Sequence, residues 1–431
     1  MIQLLRKRLF WTLDYFKGRS VKKHYVDIEN IMRNHTSQGS ADFSKKYLSD
    51  ILTHTIDTVP YYTGKVLEEL TQFPVINKNM IRDHFEAFIS KAYIQRDCVK
   101  VSTSGSTGAP FSVLHDRNKR KRSLADNLFF SKASGYQIGN KLVYIKIWKD
   151  NVKVHLLSKN WMQNVYPVSV FNLEDIHIAS FIKWLEKDPS KKSFLGYASA
   201  LEKICKYLDR HGAAAIKANV QSIITMSESL NDYTKQSLEK YFGVQPLSRY
   251  SNNENGILAQ ESFDKKGFVI NKASYHIEIL DMKTDKPVGM GERGRIIVTD
   301  LHNYAMPLIR YDTGDVGAMN LDEEGNPYIM YIQGRKLDLI YDTKGKLVPS
   351  HVSYKLCKYG DYKQFQLVQY GIKDYLIKLN TTKKVDEEKM KEEYKEYFGK
   401  DAKITIEYVN DIPLLSSGKR REVRNTYYSE V

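Results

Sequence analysis

From about Lys141 the chain alternates short apolar runs with longer amphipathic ones, a pattern that few architectures accept. The runs Leu142–Trp148, Val165–Phe171, Ser193–Tyr197, Val220–Met226 and Val244–Tyr250 are rich in branched and aromatic residues and read as strands. Between them, Asp175–Glu186, Ala200–His211 and Leu230–Phe242 carry apolar residues at helical spacing. A strand that is apolar throughout needs cover on both faces, and the intervening helices supply it. The alternation therefore predicts βαβ units around a buried sheet.

The flanks differ. Helical periodicity dominates residues 1–90, as in Phe43–His54 and Asn79–Phe88, with Pro60 and Pro74 interrupting it. From Gly267 to Tyr341 the chain is strand-rich and carries Gly289, Gly291, Gly294, Gly314, Gly317, Gly325 and Gly334, which predicts antiparallel hairpins and a small β-barrel-like part. Beyond it a strand (Leu337–Tyr341), a helix (Ser350–Cys357), two strands (Gln364–Gln369, Tyr375–Leu379), a helix (Glu387–Phe398) and a strand (Lys403–Val409) predict a small α+β domain. The fold class is α/β. A large N-terminal domain spans residues 1–336 and a C-terminal domain spans 337–431, with the boundary near Arg335–Asp338. At 431 residues the chain is long enough for more than one core.

Hydrophobic residues make up 42% and charged residues 27%, a soluble globular balance that excludes disordered and fibrous classes. Cys98, Cys205 and Cys357 lie far apart with no CxxC spacing, which excludes a disulfide framework and a cysteine-rich zinc module and fits a reducing cytoplasm. No apolar run reaches the ~20 residues of a membrane span. The formal charge is +15, so polyanions of some kind are attracted: nucleic acid, an acidic membrane or phosphorylated substrates. Residues 1–25 hold Arg6, Lys7, Arg8, Lys17, Arg19, Lys22 and Lys23 against Asp14 alone. Here Ile2, Leu4, Leu5, Leu9, Phe10, Leu13 and Phe16 recur roughly at helical spacing. Two readings stand: a basic amphipathic helix resting on anionic lipid, or a helix docked on its own domain with a solvated basic rim. No continuous apolar stretch leads to a small-residue cleavage site, so a secretory signal is not expected.

Five short segments carry chemistry. In Val101–Phe111, Ser104, Gly105, Ser106, Thr107 and Gly108 suit a turn that presents backbone amides and hydroxyls to phosphate, or a plain Ser/Gly turn. The Gly-Lys-Ser/Thr ending of a Walker A loop is absent. Tyr250-Ser251-Asn252-Asn253-Glu254 follows a strand at the edge where open α/β sheets bind ligands. An aromatic ring there can stack on a base and a carboxylate can hold magnesium; an ordinary polar loop fits as well. Arg310–Asp315 ends a tight turn in a carboxylate suited to vicinal hydroxyls, or is simply a hairpin turn. Gly334–Asp338 places Arg335 and Asp338 at the domain boundary. Pro413–Lys419 puts Lys419 on a glycine-containing loop, where its charge can meet developing negative charge.

In that order the segments read TSGSTGxP, aromatic-xxx-Glu, YDTGD, GRxxD and a late SGK, and together they resemble the block sequence of adenylate-forming enzymes: the acyl-CoA synthetases, adenylation domains and luciferases. Gly196–Leu201 and Ser227–Leu230 resemble the phenylacetate–CoA ligase branch with its CapK-like relatives. The resemblance covers about residues 75–425. It implies ATP as cosubstrate, with Ser104 to Gly108 around the β/γ-phosphates. Tyr250 would lie on adenine, Glu254 on magnesium and Asp315 on the ribose hydroxyls beside Arg335. It adds Ser227, Glu228, Ser251, Asn252 and Asn253 to the ATP site, and it implies Asp338 as hinge of a mobile C-terminal domain. Lys419 would bridge the substrate carboxylate and the α-phosphate.

Tyr197, Ala198 and Met226 are candidate walls for a small-molecule carboxylate. One departure is plain: the family's Tyr-Gly-Ser/Thr-Thr-Glu reads Tyr-Ser-Asn-Asn-Glu here, which leaves Asn252 or Asn253 as donors. No cysteine lies between Cys205 and Cys357, so the structural zinc of some branch members is not expected. His115 and His276 have no partner spacing for a metal or a triad and read as structural.

The implied activity is a cytoplasmic AMP-forming ligase that passes an acyl group to coenzyme A or to an amine or hydroxyl of a surface-polysaccharide precursor. Peripheral membrane contact through residues 1–25 would suit the latter, and no specific nucleic acid is expected. The alternative is a basic binding protein, associated with membrane or nucleic acid, on a degenerate ligase scaffold.

Overall fold

The computed structural model describes residues 2–33, 38–64, 69–103, 111–148, 163–335, 340–346, 348, 352, 362, 364–382, 384–413 and 423–427. The chain divides into two compact units, Met1–Ile332 and Gln333–Val431.

The first unit opens with helices α1 (Ile2–Phe16), α2 (Ser20–Arg33), α3 (Gln38–Thr58) and the short α4 (Lys78–Asp83). Strands β1 (Val99–Thr103) and β2 (Phe111–His115) pair antiparallel, Thr103 opposite Phe111, and lead into α5 (Arg117–Ala133). The alternating part follows: β3 (Lys141–Lys146), β4 (Val165–Ser169), α6 (Asp175–Lys187), β5 (Lys192–Tyr197), α7 (Ala198–Arg210), β6 (Val220–Met226), α8 (Asp232–Phe242) and β7 (Pro246–Asn252). Next come β8 (Gly256–Glu261), β9 (Phe268–Ile270), β10 (Tyr275–Leu280), β11 (Arg293–Asp300), β12 (Tyr311–Leu321) and β13 (Pro327–Arg335).

All strands from β3 to β13 join one eleven-stranded sheet in the order β10-β11-β12-β13-β9-β8-β7-β6-β5-β3-β4. Neighbours among β3 to β7 run parallel, and from the β7–β8 hairpin onward the pairing is antiparallel. The strands expected to be barrel-like therefore continue the parallel sheet through hydrogen bonds rather than standing apart from it.

The parallel half is built as its pattern requires. Ile223 and Ile224 of β6 are both buried although they point to opposite faces. On one face α7 lays down Leu201, Ile204, Cys205 and Leu208, at spacings of three, one and three, against Val143, Ile145 and Phe194. Each such side chain contributes roughly 1.5–3 kcal/mol by leaving water. Helix α8 starts where the Asn231 side chain accepts from the Thr234 amide and stops at Gly243, whose φ of +68° few other residues adopt at low cost.

A second core binds the helical start to the antiparallel half: Ile51 and Leu52 of α3 pack with Phe73, Phe88, Phe111, Val113 and Tyr311. The Ile76 amide donates to the Arg310 carbonyl (3.1 Å) and the Asp312 amide to the Ile76 carbonyl (2.8 Å). The chain before α4 is thus stitched to the start of β12. Asn77 then caps α4 by accepting from the Asn79 and Met80 amides, so Lys78, the first helical residue, emerges beside Tyr311.

The second unit holds β14 (Gln364–Gln369), β15 (Asp374–Asn380), α9 (Glu387–Phe398), β16 (Lys403–Tyr408) and β17 (Val423–Asn425), with sheet order β16-β15-β14-β17. Met390, Tyr394 and Phe398 of α9 pack on Tyr375, Ile377 and Leu379. This is the expected small α+β arrangement. The helix expected over Ser350–Cys357 lies outside the described residues except for Val352, as does the Leu337–Tyr341 strand except for Ile340 and Tyr341.

Candidate active site

The sequence-predicted residues that the structure describes gather at one edge of the first unit's sheet, where its parallel strands end. Tyr197 of β5 is the register partner of Met226 of β6, and Met226 is the partner of Arg249 of β7, one residue before Tyr250. Three neighbouring strand ends thus bring Tyr197, Ala198, Met226, Ser227 and Tyr250 to one side, the edge where open α/β sheets bind ligands. Ser227 leaves β6 with φ of +72°, an unfavourable angle for a non-glycine residue. Glu228 follows, and its Oε2 accepts from the Ser199 amide (2.9 Å) in the first turn of α7. A carboxylate suits a helix N-terminus. This contact ties the exit of β6 to the turn that carries Tyr197 and Ala198.

The β7–β8 hairpin supplies the next group. Its turn is closed by Asn252, whose Oδ1 accepts from the Asn255 amide (2.8 Å), and Asn253 is exposed at the tip. Gly256 takes φ of +122°, and a Cβ there would stand 2.9 Å from the Tyr275 hydroxyl. Ser251 and Asn252 pair with Ile257 and Gly256, after a register shift at Tyr250/Ser251. The turn folds Glu254 inward, where it is fully buried. Its Oε1 accepts from the Tyr311 hydroxyl (2.7 Å) and lies 3.0 Å from the Lys78 Nζ. Burial pushes the carboxyl up, but the Lys78 charge, the Tyr311 hydroxyl and a backbone amide outweigh it. The carboxyl stays below its ordinary range and is ionised at neutral pH.

His115, at the end of β2, donates Nε2–H to the Glu254 carbonyl (2.8 Å), since a carbonyl only accepts. Burial and Lys119 hold its ring below the usual range, so it is neutral. The structural role expected of His115 is therefore a specific one: it supports the Glu254 turn.

The third group joins residues 65 apart in sequence. The Tyr250 hydroxyl donates to Asp315 Oδ2 (2.7 Å) and lies 3.3 Å from Thr313 Oγ1. The strained start of β12, with Arg310 at φ of +48°, is pinned by the Arg310 guanidinium. It pairs with Glu278 and donates to the Phe73 and Thr71 carbonyls.

The Ser/Gly segment (Ser104, Gly105, Ser106, Thr107, Gly108), Asp338 and Lys419 lie outside the described residues, as does the side chain of Arg335 at the end of β13. The two strands that lead into and out of the Ser/Gly segment are described. Phe111, the first described residue after it, stacks on Tyr311 at 6.2 Å and carries the Lys78 ammonium 5.6 Å from its ring centroid.

Sequence reasoning missed Lys78 and Tyr311. The Asn77 cap was readable as a helix start, but nothing in the sequence pairs Lys78 with a residue 176 positions on (254 − 78). Two cations of the basic helix α5 are buried as well. Lys119 is buried on Asp300 (2.6 Å), and Arg122 is buried on Ser274 and Asp27.

No group of three or more His, Cys, Asp or Glu side chains is gathered for a metal among the described residues. A buried, ionised carboxylate such as Glu254 nonetheless fits a magnesium ion that takes most of its oxygens from phosphates and water.

The fold is shared with solved coenzyme A ligases. A crystal structure of 2-hydroxyisobutyryl-CoA ligase in the postadenylation state, in complex with R3-HIB-AMP, matches with a TM-score of 0.66 at 14% identity, over 89% of this chain and 90% of that one. The CapK C-terminal domain family matches residues 339–426. Protein CapK of Staphylococcus aureus is 23% identical over 94% of this chain and 93% of its own. Phenylacetate-coenzyme A ligase of Pseudomonas putida is 24% identical over 71% of this chain and 73% of its own. The chain thus shares the fold of solved adenylate-forming coenzyme A ligases. Its homologues include CapK and phenylacetate–CoA ligases.

Proposed function

We propose that this protein is an ATP-dependent, AMP-forming ligase. The observation that carries the reading is the convergence of two separate segments, Tyr250–Glu254 and the turn bearing Asp315, on one sheet edge, with the Tyr250–Asp315 contact at 2.7 Å. A carboxylate is a poor electrophile because its charge repels nucleophiles. In the proposed first step a carboxylate oxygen attacks the α-phosphorus of ATP, a new P–O bond forms and pyrophosphate leaves. In the second, a nucleophile attacks the carbonyl of the mixed anhydride and AMP leaves with the bond electrons.

Each residue has a part in this reading. Asp315 accepts from the ribose hydroxyls, with Arg335 beside them, while Tyr250 holds the Asp315 carboxylate and borders the adenine. Ser227, Glu228, Ser251, Asn252 and Asn253 line the nucleotide. Ser104 to Gly108 donate to the β/γ-phosphates. Lys419 places its ammonium between the two approaching anions, and Asp338 is the pivot that lets it arrive and leave. Magnesium bound at Glu254 would screen the phosphate charge. Tyr197, Ala198 and Met226 wall the acid. The residues 1–336 and 337–431 form the large and the catalytic-lysine domains of this scheme.

The acceptor is coenzyme A or an amine or hydroxyl of a surface-polysaccharide precursor, in the cytoplasm. The first alternative is supported by the coenzyme A ligases among the relatives; the second rests on the resemblance to the CapK-like branch alone. Carboxylate-dependent exchange of labelled pyrophosphate into ATP tests the activity. Exchange with some acid in a broad panel is expected, and its absence across the panel would favour a binding protein on a degenerate scaffold. Supplying coenzyme A, amino acids and glycan precursors separately to the adenylating enzyme then decides the acceptor.

A further inference from the structure

Helix α1 turns an apolar stripe towards solvent. Ile2, Leu5, Leu9, Leu13 and Phe16 succeed one another at spacings of three and four, so they share one side of the helix. All five are between 45% and 79% exposed. The helix is fastened by a different side. Phe10 and Trp11 pack against the core formed with α2 and α5, and the buried Asp14 carboxylate accepts from the Val21 and Lys22 amides (3.1 and 2.9 Å) at the start of α2. The helix is thus packed on its own domain while this stripe faces solvent. A continuous stripe of this kind on a water-facing helix marks a place of contact.

Charge identifies what meets it. Arg6, Lys7 and Arg8 lie within the same helix, and Lys17, Arg19, Lys22 and Lys23 follow at its end; the one acid of residues 1–25, Asp14, is buried. A second copy of the chain would bring the same seven cations against these and be repelled. A bilayer with anionic headgroups supplies both an apolar layer for the stripe and phosphates for the cations.

We propose that α1 is an in-plane anchor for an anionic phospholipid bilayer, with Ile2, Leu5, Leu9, Leu13 and Phe16 entering the acyl boundary and the flanking cations at headgroup level. No helix among the described residues is long and apolar enough to cross a membrane, so α1 lies on the surface. The inference stands apart from the ligase reading and holds whatever the chemistry.

Flotation of the full-length protein with vesicles tests it. Binding is expected to vesicles of phosphatidylcholine and phosphatidylglycerol in equal parts, with weak binding to phosphatidylcholine alone and release as salt shortens the Debye length from ~10 Å at 0.1 M to ~3 Å at 1 M. Leu5→Ser/Leu9→Ser/Leu13→Ser removes exposed side chains only, so its melting temperature should match the parent, while its vesicle affinity falls at least ~10-fold. Lys7→Gln/Arg8→Gln should lower affinity for the mixed vesicles about fivefold per charge and leave binding to phosphatidylcholine unchanged. A parent protein that does not float with the mixed vesicles overturns the proposal, and so does a triple variant that floats equally well. So does a parent dimer, by sedimentation velocity, that the triple variant converts to monomer, because a second copy would then cover the stripe.

Discussion

Replacing Lys78 with methionine tests the electrostatics of the site at its centre. The Lys78 Nζ lies 3.0 Å from Glu254 Oε1, and the two side chains are 26% and 2% exposed. At an effective dielectric of ~20, charges at that separation attract by ~5.5 kcal/mol before desolvation is counted. Removing one partner of a fully buried pair costs ~3–5 kcal/mol because the other charge is stranded. Since a quarter of Lys78 is in water and Tyr311 still donates to the carboxylate, we expect Lys78→Met to lose about 2 kcal/mol at neutral pH.

The pH dependence has a definite sign. In the parent the Glu254 carboxyl is depressed below its ordinary 4.5, so its contribution is present above that value and lost as pH falls through the lower folded one. In the variant, burial is opposed only by the Tyr311 hydroxyl and a backbone amide, so the folded value rises relative to the parent's and the deficit should shrink as pH falls into acid. Guanidinium unfolding followed by tryptophan fluorescence is the assay, since Trp11, Trp148, Trp161 and Trp184 all fall within the first unit. A cycle with Glu254→Gln completes it, and the double variant should be no less stable than Lys78→Met. Losses that simply add to within ~0.5 kcal/mol would refute the pairing.

Three further outcomes follow from other parts of the chain. Lys419→Ala should slow adenylation by ~10²–10³, about 2.7–4 kcal/mol, and spare capture of preformed acyl-AMP; equal damage to both steps in single-turnover assays would contradict that assignment. Tyr250→Phe deletes the 2.7 Å hydrogen bond that holds Asp315, and at ~1.5–3 kcal/mol for a bond to a charged group it should weaken ATP binding by ~10-fold or more in calorimetry. Unchanged binding would mean that the pair does not position the nucleotide. Burial, reinforced by Arg122, holds His302 well below its ordinary 6.5, so the folded state keeps it neutral while the unfolded state protonates. Stability should therefore be full above that value and fall as pH drops below it; His302→Gln, which can still donate to the Ala273 carbonyl, should flatten part of the fall measured down to pH ~5. An unaltered slope would contradict this.

The parallel half of the sheet was legible because its strands are apolar on both faces and its helices keep strict periodicity; α8 and β6 differ from the sequence reading by two residues or fewer. The antiparallel half was legible as strands but not as partners. Whether β8 to β13 close on themselves or extend the sheet depends on the edge they meet, and alternation within a strand does not encode that. Tyr250, Glu254 and Asp315, singled out in the sequence, lie together at one sheet edge in the structure. Lys78 and Tyr311 were not singled out, because their partner is reached only through the stitching of Ile76 to β12 and the inward fold of a hairpin turn. Likewise nothing in the sequence pairs Lys119 with Asp300, or Arg122 with Asp27 and Ser274, and only packing reveals these partners. On α1 the sequence left lipid contact and docking open; the helix docks through Phe10, Trp11 and Asp14 while its apolar stripe stays exposed.

Photolabelling with 8-azido-ATP, followed by mapping of the modified peptides, tests most directly whether separate segments form one nucleotide site. The account predicts label within Tyr250–Glu254 and the Tyr311–Asp315 turn, suppressed by excess ATP. Label confined to other parts of the chain, or no ATP-protected label at all, would contradict it.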